Sequence, residues 1–315
     1  MPNSNMIAAK KAKNDEFYTQ LSDIELELIK YREYFRGKVV YCNCDDARSS
    51  AFFKYFAMGF NILGLKKLIT TSYNPNGCSS KIEIVEVEDF TGDGRVGLED
   101  AEYLLDHSED SLTLLEGDGD FRSEECVSLM QEADIIVTNP PFSLFREFVS
   151  QLMEYDKRFL IIGNMNAITY KEIFPLLKED MMWLGCTSPK TFLQPDGSVK
   201  KFGNILWYTN LEHGRREEEL LLYKRYTPEE YPRYDNYDAI NVNRVANIPL
   251  DYDGVMGVPI TFMTKYNPEQ FEILSCNDIR TNKETPLKEH GLIKDKDGTI
   301  NGKPVYVRIV IKRKN

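Results

Sequence analysis

The sequence predicts an α/β protein whose first part forms a doubly wound, largely parallel β-sheet, and three observations support this. Residues 135–138 (Ile-Ile-Val-Thr) form a short, continuous, β-branched run, which is typical of a strand buried on both faces. Strand-like and helix-like segments alternate up to about residue 180, as in parallel sheets with crossover helices. Beyond residue 181, short strand-like segments and aromatic loops replace this alternation. We therefore expect a main domain at 1–180 and a second part at 181–315 that adds the remaining strands.

Local signals predict where the helices and strands begin and end. Ser22 and Glu25 have the spacing of a capping box, which would begin the first helix. The aromatic-rich helix after the first strand is expected to end at Gly59. Residues 74–111 interrupt the alternation and are expected to be an insertion. Further helices are expected at 99–105 and 123–131, and strands at 38–46 (running into a tight acidic loop), 65–72, 111–115, 135–138, 159–164, 181–184, 191–193, 204–209, 258–263 and 305–312.

The composition of the 315-residue chain is that of an ordinary soluble protein. No apolar run is long enough to span a membrane, and the polar N-terminus shows no signal peptide. The six cysteines form no Cys-x-x-Cys pair, so a reducing cytoplasm is the expected location. The net charge of −11 argues against a generic polyanion binder, although several basic pairs can form a basic face on an acidic protein.

The strand at 135–138 stops at Asn139-Pro140-Pro141-Phe142. Because the prolines cannot continue a β-ladder, and Pro141 pushes Pro140 into an extended conformation, a rigid corner is expected at the carboxyl end of the strand. Ligands of open α/β sheets bind at that edge. The Asn139 side-chain oxygen and the Pro140 carbonyl would accept both N–H groups of an exocyclic amine, and Phe142 would stack on a planar base. Such binding makes the amine nitrogen nucleophilic, so these four residues are the predicted catalytic motif; the alternative is a Pro-capped strand end with a structural Asn.

Two further strand ends carry acidic residues. In the loop at 42–46, small residues stand where a nucleotide-binding loop would have glycines, and Asp45 or Asp46 can accept hydrogen bonds from an amino group or a ribose. A Cys-x-Cys metal site is the alternative there, but no further ligands are in sight. At another strand end, the glycine-flanked Asp118 can reach an adenine amine and Phe121 can pack on its ring; the alternative is a Gly-Asp turn.

Residues 89–100 have the pattern of a calcium-binding loop. Acidic residues occupy its first, fifth and twelfth positions, and glycine occupies the sixth. The twelfth residue is Asp rather than Glu and the ninth is Gly, so the alternative is an acidic surface loop with a Gly turn. The candidate calcium ligands are Asp89, Thr91, Asp93, Arg95 and Asp100.

With these residues in hand, the chain resembles the EcoRI-type adenine-specific DNA methyltransferases nearly from end to end. The segments that carry the resemblance are DEFYTQ (15–20), KVVYCNCDD (38–46), FFKYF (52–56), GLKKLI (64–69), GDGDFRS (117–123), DIIVTNPPFSLFRE (134–147), RYDNYDAINVN (233–243) and GVMGVPITF (254–262). Two stretches depart from the family pattern. The stretch between Trp183 and Trp207 is shorter than in the EcoRI enzyme, and the 74–111 insertion differs, so the target sequence does not carry over.

The resemblance implies a Rossmann-like, S-adenosylmethionine-dependent methyltransferase fold with a C-terminal target-recognition part. Tyr18 and Thr19 would lie in the segment that closes over the cofactor, the loop with Asn43 would face it, and Asp118 and Phe121 would flank its adenine. The complete set of implied cofactor contacts is Tyr18, Thr19, Asn43, Asp45, Asp46, Asp118, Phe121 and Asn139.

The implied activity is methylation of adenine N6 in double-stranded DNA, on a base rotated out of the duplex, in the setting of a restriction-modification or phage system. No metal or covalent enzyme intermediate is required. The resemblance favours a monomer whose cognate restriction endonuclease, if there is one, is a partner by function and not by contact.

Two kinds of alternative stay open. A methyltransferase acting on another planar amine (RNA adenine, cytosine N4 or a protein glutamine amide) would use a similar corner. Cytosine-N4 enzymes usually carry Ser-Pro-Pro-Tyr, so Asn139 argues against them, and glutamine methyltransferases would not need this C-terminal half. A catalytically silent DNA- or ion-binding protein, with the 89–100 loop as its working part, would bind no cofactor.

Overall fold

The chain forms two compact units in the computed structural model. Unit 1 comprises Met1–Asn164 and Gly185–Leu211, and unit 2 comprises Met165–Leu184 and Glu212–Asn315. The strands within 185–211 group with unit 1, whereas the sequence placed a boundary at residue 180. The structure describes residues 18–44, 46–74, 77, 79–107, 112–193, 198–276 and 298–314.

Unit 1 is built on a large mixed β-sheet. Its strands within this unit run, in spatial order, β5 (Leu112–Leu114), β4 (Ser80–Ile84), β3 (Lys67–Thr71), β2 (Val39–Cys42), β6 (Ile135–Thr138), β7 (Arg158–Asn164) and β11 (Ile205–Thr209). The four central strands β3, β2, β6 and β7 are parallel, which confirms the prediction for the middle of the sheet. The outer strands β5, β4 and β11 pair antiparallel, so the sheet is not parallel throughout.

Strand β6 lies in the middle of the sheet, between β2 and β7, and has the bounds that the sequence predicted. All four of its residues are buried. Its register with β7 pairs Thr138 with Ile161, and its register with β2 pairs Ile136 with Tyr41. Because β2, β3 and β6 point the same way, the loops that follow them leave from the same edge of the sheet.

Helices cover both faces of this sheet. The helices of unit 1 are α1 (Leu21–Leu28), α2 (Arg32–Phe35), α3 (Ala51–Leu63), α4 (Leu98–His107), α5 (Glu124–Glu132) and α6 (Phe145–Glu154). Side chains alternate across a strand, so Val137 and Trp207 point to one face, where α1 and α3 share their core. On the other face α5 contacts β2, α6 contacts β7, and Phe145 packs on Tyr208 with ring centroids 5.1 Å apart.

Two predicted helix ends are wrong. Helix α3 continues through Gly59 and ends at Leu63, because Phe60 and Leu63 are buried in the core. Gly64, with a φ of 64°, then provides the left-handed C-cap. Ser22 lies inside α1, whose N-cap residue makes no side-chain capping bond, so the predicted capping box does not form.

A small antiparallel sheet in unit 1 joins the first described residues to a later segment. It consists of β1 (Tyr18–Thr19), β9 (Thr191–Leu193) and β10 (Val199–Lys201), with Thr19 opposite Phe192. The buried carboxylate of Glu27 on α1 binds the chain just before β9. It accepts hydrogen bonds from the backbone N–H groups of Cys186 (2.7 Å) and Thr187 (2.6 Å), from the Thr187 hydroxyl and from the Tyr31 hydroxyl.

Unit 2 has a four-stranded sheet and a short hairpin. Its elements are α7 (Phe174–Lys178), β8 (Trp183–Leu184), β12 (Ile240–Asn241), β13 (Met256–Pro259), β14 (Phe271–Cys276), β15 (Thr299–Ile300), β16 (Lys303–Pro304) and β17 (Arg308–Arg313). The sheet order is β12-β13-β17-β14, and β15 pairs with β16. The strand predicted at 258–263 ends at Pro259, where a 3-10 turn begins. Among the described residues, no helix combines the length and apolar character needed to cross a membrane.

Candidate active site

The Asn-Pro-Pro-Phe corner follows β6 directly and leads into α6. Pro140 is buried, whereas Asn139, Pro141 and Phe142 are partly exposed. Pro141 is extended, with φ −56° and ψ 121°, and its carbonyl accepts a hydrogen bond of 2.9 Å from the N–H of Leu144. The strand therefore ends where the prolines predicted, and Phe142 packs partly against the core.

Hydrogen bonds tie the ends of the three central strands together. The hydroxyl of Thr138, the last residue of β6, donates to the backbone carbonyl of Asn43 in the loop after β2. The hydroxyl of Thr70 on β3 donates to the carbonyl of Cys42 at 2.9 Å. The Asn-Pro-Pro-Phe corner and the acidic loop are thus neighbours held in a fixed relation. Sequence reasoning missed Thr138, although a threonine that ends an apolar strand is a visible signal.

Asn43, next to the corner, has side-chain hydrogen-bonding groups that the described residues do not use. Its side chain is 1% exposed, and neither amide atom has a hydrogen-bond partner among the described residues. An unsatisfied buried polar group costs about 1–3 kcal/mol, so native proteins keep few of them. A bound molecule with its own donors and acceptors would satisfy both atoms. Thr19 on β1 is a second residue of this kind. Its side chain is 4% exposed, and its hydroxyl has no hydrogen-bond partner among the described residues.

The loop after Asn43 makes a left-handed turn at Cys44, whose φ is 62°. Glycine is the usual residue in this left-handed conformation, and here Cys44 adopts it instead. Asp46 is exposed, and its carboxylate accepts a hydrogen bond from the N–H of Arg48 at 3.1 Å. Asp45 lies outside the described residues, and its proposed cofactor contact stays a prediction.

The segment with Asp118 docks on the residues that follow β3. The N–H of Asn74 donates to the Asp118 carbonyl at 2.7 Å. Gly119 has a φ of 78°, and a Cβ there would lie 2.0 Å from the carbonyl oxygen of Ser72, so only glycine fits this close approach. The partly exposed Asp118 side chain is thereby brought to the same sheet edge as Asn43. The need for Gly119 was missed by the sequence reasoning.

Phe121 is placed differently from the other predicted cofactor residues. Its ring is 3% exposed and packs edge-to-face on Phe148 of α6 at 5.1 Å. The Arg122 guanidinium covers the ring at 5.3 Å and also binds Asp120, which lowers the pKa of that carboxyl. In this structure the ring offers little surface to a ligand.

The 89–100 loop is held by its own backbone. The Asp89 carboxylate accepts hydrogen bonds from the N–H groups of Gly92 (2.7 Å) and Gly94 (2.7 Å), and Asp100 accepts from Thr91 (2.9 Å) and Gly97 (2.7 Å).

The side chains of this loop do not converge on an ion. Asp93 accepts from the N–H of Arg95, and no cluster of three His, Cys, Asp or Glu residues that could hold a metal exists in the described part of the chain. The predicted calcium site, with ligands Asp89, Thr91, Asp93, Arg95 and Asp100, is therefore not supported. The loop is an acidic turn closed by carboxylate–backbone hydrogen bonds.

Known methyltransferases are similar to this chain over nearly its whole length. The family described as "Adenine-specific methyltransferase EcoRI" matches residues 5–314. The Type II methyltransferase M.EcoRI of Escherichia coli is 47% identical, and the alignment covers 97% of this chain and 95% of that protein. M.MgeORF184P of Mycoplasma genitalium and M.MpnI of Mycoplasma pneumoniae are each 38% identical, with 97% of both chains covered. No solved structure matches at a significant level.

The family match covers all the segments that carried the resemblance, and the resemblance is confirmed. These segments include the Asn-Pro-Pro-Phe corner, its bond partner in the loop after β2, and the docked Gly-Asp-Gly-Asp turn. The chain belongs to the adenine-specific EcoRI methyltransferase family.

Proposed function

We propose that the chain transfers the methyl group of S-adenosylmethionine to N6 of an adenine in double-stranded DNA, with Asn139, Pro140, Pro141 and Phe142 as the catalytic motif. The observation that carries this is the position of the corner. It stands at the carboxyl end of the central strand and is hydrogen-bonded through Thr138 to a loop with an unsatisfied buried amide.

Membership of the family implies use of S-adenosylmethionine. The donor and acceptor atoms at the sheet edge suit it, because the Asn43 amide can give and take hydrogen bonds and Asp118 can accept from an amino group. On this basis we propose that unit 1 has a Rossmann-like fold with the cofactor at its sheet edge, since ligands of open α/β sheets bind outside the carboxyl ends of the strands. The proposed cofactor contacts are Tyr18, Thr19, Asn43, Asp45, Asp46, Asp118, Asn139 and the small exposed edge of the Phe121 ring.

The corner is suited to hold an amino group. The Asn139 Oδ1 and Pro140 carbonyl oxygens accept the two N6 hydrogens of the adenine, and Phe142 stacks on the base. When bound, S-adenosylmethionine would supply an electrophilic methyl group: N6 would form a bond to the methyl carbon as the S–C bond breaks, S-adenosylhomocysteine would be the leaving group, and N6 would release one proton to solvent. Because N6 of a base stacked in a duplex cannot reach this corner, the base is rotated out of the stack. The protein contributes mainly position, which can account for many orders of magnitude in rate.

Target recognition is proposed for the C-terminal part of the chain, within 181–315. Unit 2 is rich in tyrosine and carries basic side chains on its last strand, which suits contact with bases and backbone. We further propose that the chain acts as a monomer, one strand at a time, and that a restriction endonuclease shares its target without binding it.

The test is Asn139→Ala in a methylation assay with labelled cofactor and unmethylated plasmid DNA. Since Asn139 holds the acceptor nitrogen, kcat should fall about 100- to 1,000-fold. Affinity for S-adenosylhomocysteine, measured by calorimetric titration, should change far less. Ser143→Ala is the matched control, because Ser143 lies in the next turn and makes no helix cap.

Mass analysis of the digested DNA identifies the product. N6-methyl-2′-deoxyadenosine in the digest supports the proposal, and N4-methyl-2′-deoxycytidine, or methylation of RNA in a parallel reaction, favours the other planar amines. Unchanged turnover in Asn139→Ala would remove the mechanism. A wild-type chain that does not bind S-adenosylhomocysteine would instead favour a silent binding protein.

A further inference from the structure

Tyr306 is the most exposed of the large hydrophobic side chains that the structure describes, at 88%. It lies between β16 and β17 in unit 2. A single exposed aromatic ring is by itself ordinary. What sets this ring apart is how firmly the backbone on both sides of it is held.

The hairpin before the ring is fixed by an acidic cap. Its turn residues Asn301 and Gly302 have φ values of 51° and 72°, as in a type I′ hairpin. The Asp235 carboxylate accepts hydrogen bonds from both of their N–H groups, at 3.1 and 2.7 Å. The Asn236 side chain accepts another from the N–H of Thr299 at 3.1 Å.

Hydrophobic packing anchors the same hairpin. Tyr234 and Tyr237 stack with ring centroids 4.2 Å apart and form a small hydrophobic cluster with Ala239. Ile300 and Val305 of the hairpin pack against this cluster. This explains part of the family segment at 233–243, which had no assigned role: it supports the hairpin.

The residue two positions after the ring is held as well. The Arg308 Nε donates to the Oδ1 of Asn241 at 3.2 Å, and Nη1 donates to the carbonyls of Tyr306 (3.3 Å) and Val307 (3.4 Å). Asn241 is buried and also accepts from the Tyr234 hydroxyl at 2.9 Å. A guanidinium group is thus positioned beside the exposed ring.

The segment that carries the ring is basic in sequence, although Glu272 lies opposite Lys312 and Asp253 forms an ion pair with Arg313. Residues 298–314 contain five basic side chains (Lys303, Arg308, Lys312, Arg313 and Lys314) and no acidic one, whereas the chain carries a net charge of −11. A local basic segment on an acidic protein favours a polyanionic partner at that place.

We propose that residues 305–308, the Tyr306 knuckle, are a DNA contact, in which the Tyr306 ring stacks on a base or sugar and Arg308 binds a phosphate. This rests on the proposed DNA substrate. Stacking on aromatic side chains is sequence-tolerant because every base has a π-face, and phosphate contacts fix register. The fixed backbone on both sides of Tyr306 lowers the entropy lost on binding. The knuckle therefore contributes affinity and position, and it does not read the target sequence by hydrogen bonds.

The experiment compares the full-length chain with Tyr306→Ala, Tyr306→Phe and Leu221→Ala, using linear unmethylated plasmid DNA and labelled cofactor. Leu221 is the control, because it is 80% exposed in the same unit but follows three glutamates at 217–219. Loss of one stacking contact should raise the KM for DNA about tenfold to a hundredfold in Tyr306→Ala. Tyr306→Phe keeps the ring and should stay within about threefold of wild type. Affinity for S-adenosylhomocysteine and the melting temperature should not change.

The salt dependence of the Arg308→Gln variant provides a second test. If the guanidinium binds one phosphate, the slope of log KM against log salt should decrease in magnitude by about one. A DNA KM in Tyr306→Ala equal to that of wild type or of Leu221→Ala would overturn the proposal, as would a Tyr306→Phe variant as impaired as Tyr306→Ala. Wild-type chain that neither binds nor methylates DNA would overturn the proposed function itself, and the knuckle with it.

Discussion

The carboxyl edge of the central sheet and the 89–100 loop were both candidate binding sites by their residue types, and they use their polar atoms in opposite ways. At the sheet edge, the buried Asn43 amide has no partner among the described residues. In the loop, the Asp89 and Asp100 carboxylates accept backbone N–H groups of their own segment. Asp46 and Asp118 at the sheet edge also accept backbone N–H groups of their own segments, so the contrast between the two regions lies in the Asn43 amide, which the described residues leave without a partner.

Whether the polar atoms already have hydrogen-bond partners distinguishes the two regions better than their residue types do. Asp, Asn and Gly are frequent both in ligand-binding loops and in tight turns, because they bond to nearby backbone and accept positive φ. Only the structure shows which atoms are already satisfied. Glu27 belongs with the satisfied groups, since four donors surround its buried carboxylate.

The largest effect is expected at Glu27. Replacing it with alanine leaves the partly buried N–H groups of Cys186 and Thr187 without acceptors, which should lower the free energy of unfolding by about 2–4 kcal/mol. Denaturant titration of the purified chain measures this. Glu25→Ala on the exposed side of the same helix should change stability by no more than about 0.5 kcal/mol. Equal losses of stability in Glu27→Ala and Glu25→Ala would mean that the hydrogen bonds to the Glu27 carboxylate do not stabilise the fold.

Asn43→Leu sharpens the comparison, because it should move stability and cofactor binding in opposite directions. Removing an unsatisfied buried amide should raise the melting temperature of the cofactor-free chain, or leave it unchanged. Affinity for S-adenosylhomocysteine should fall about tenfold to a hundredfold, the equivalent of one or two lost hydrogen bonds. Calorimetry and thermal melting on the same sample give both values. A variant that is destabilised but binds normally would show that Asn43 serves the fold.

The smallest effect is expected in the 89–100 loop and depends on pH. Hydrogen bonds from the N–H groups of Gly97 and Thr91 lower the pKa of Asp100. A carboxyl whose folded pKa lies below its unfolded value of about 3.9 adds stability above that value and loses it as the pH falls through the folded pKa. Asp100→Asn should therefore lower the melting temperature slightly at pH 7 and flatten its fall below about pH 4. Thermal scans across pH check this.

Calcium offers a direct control on the same loop. Since its carboxylates are engaged by the backbone, added calcium or a chelator should leave the melting temperature of the wild-type chain unchanged. A calcium-dependent rise that Asp89→Asn abolishes would reinstate the ion site.

Much of the site was predictable because its signals are local. Two prolines after a β-branched run can only end a strand, and β6 ends where they begin. Long-range packing was not visible in the same way. Gly59 looked like a helix end, but the burial of Phe60 and Leu63 outweighs the cost of a glycine inside a helix. Strand β4 was hidden inside the apparent insertion, because a strand that pairs antiparallel with both of its neighbours breaks the strand–helix alternation. The Thr138–Asn43 bond joins residues 95 positions apart, and no local pattern reports it.

That bond has a consequence for how the family can vary. The corner that would hold the target amine and the loop that would face the methyl donor are joined by the hydrogen bond from the Thr138 hydroxyl to the Asn43 carbonyl. A displacement of one therefore moves the other. A change in the shape of either loop is transmitted to the other across the central strand. Exchanging the loop after β2 between relatives should therefore succeed only when the corner after β6 is exchanged with it.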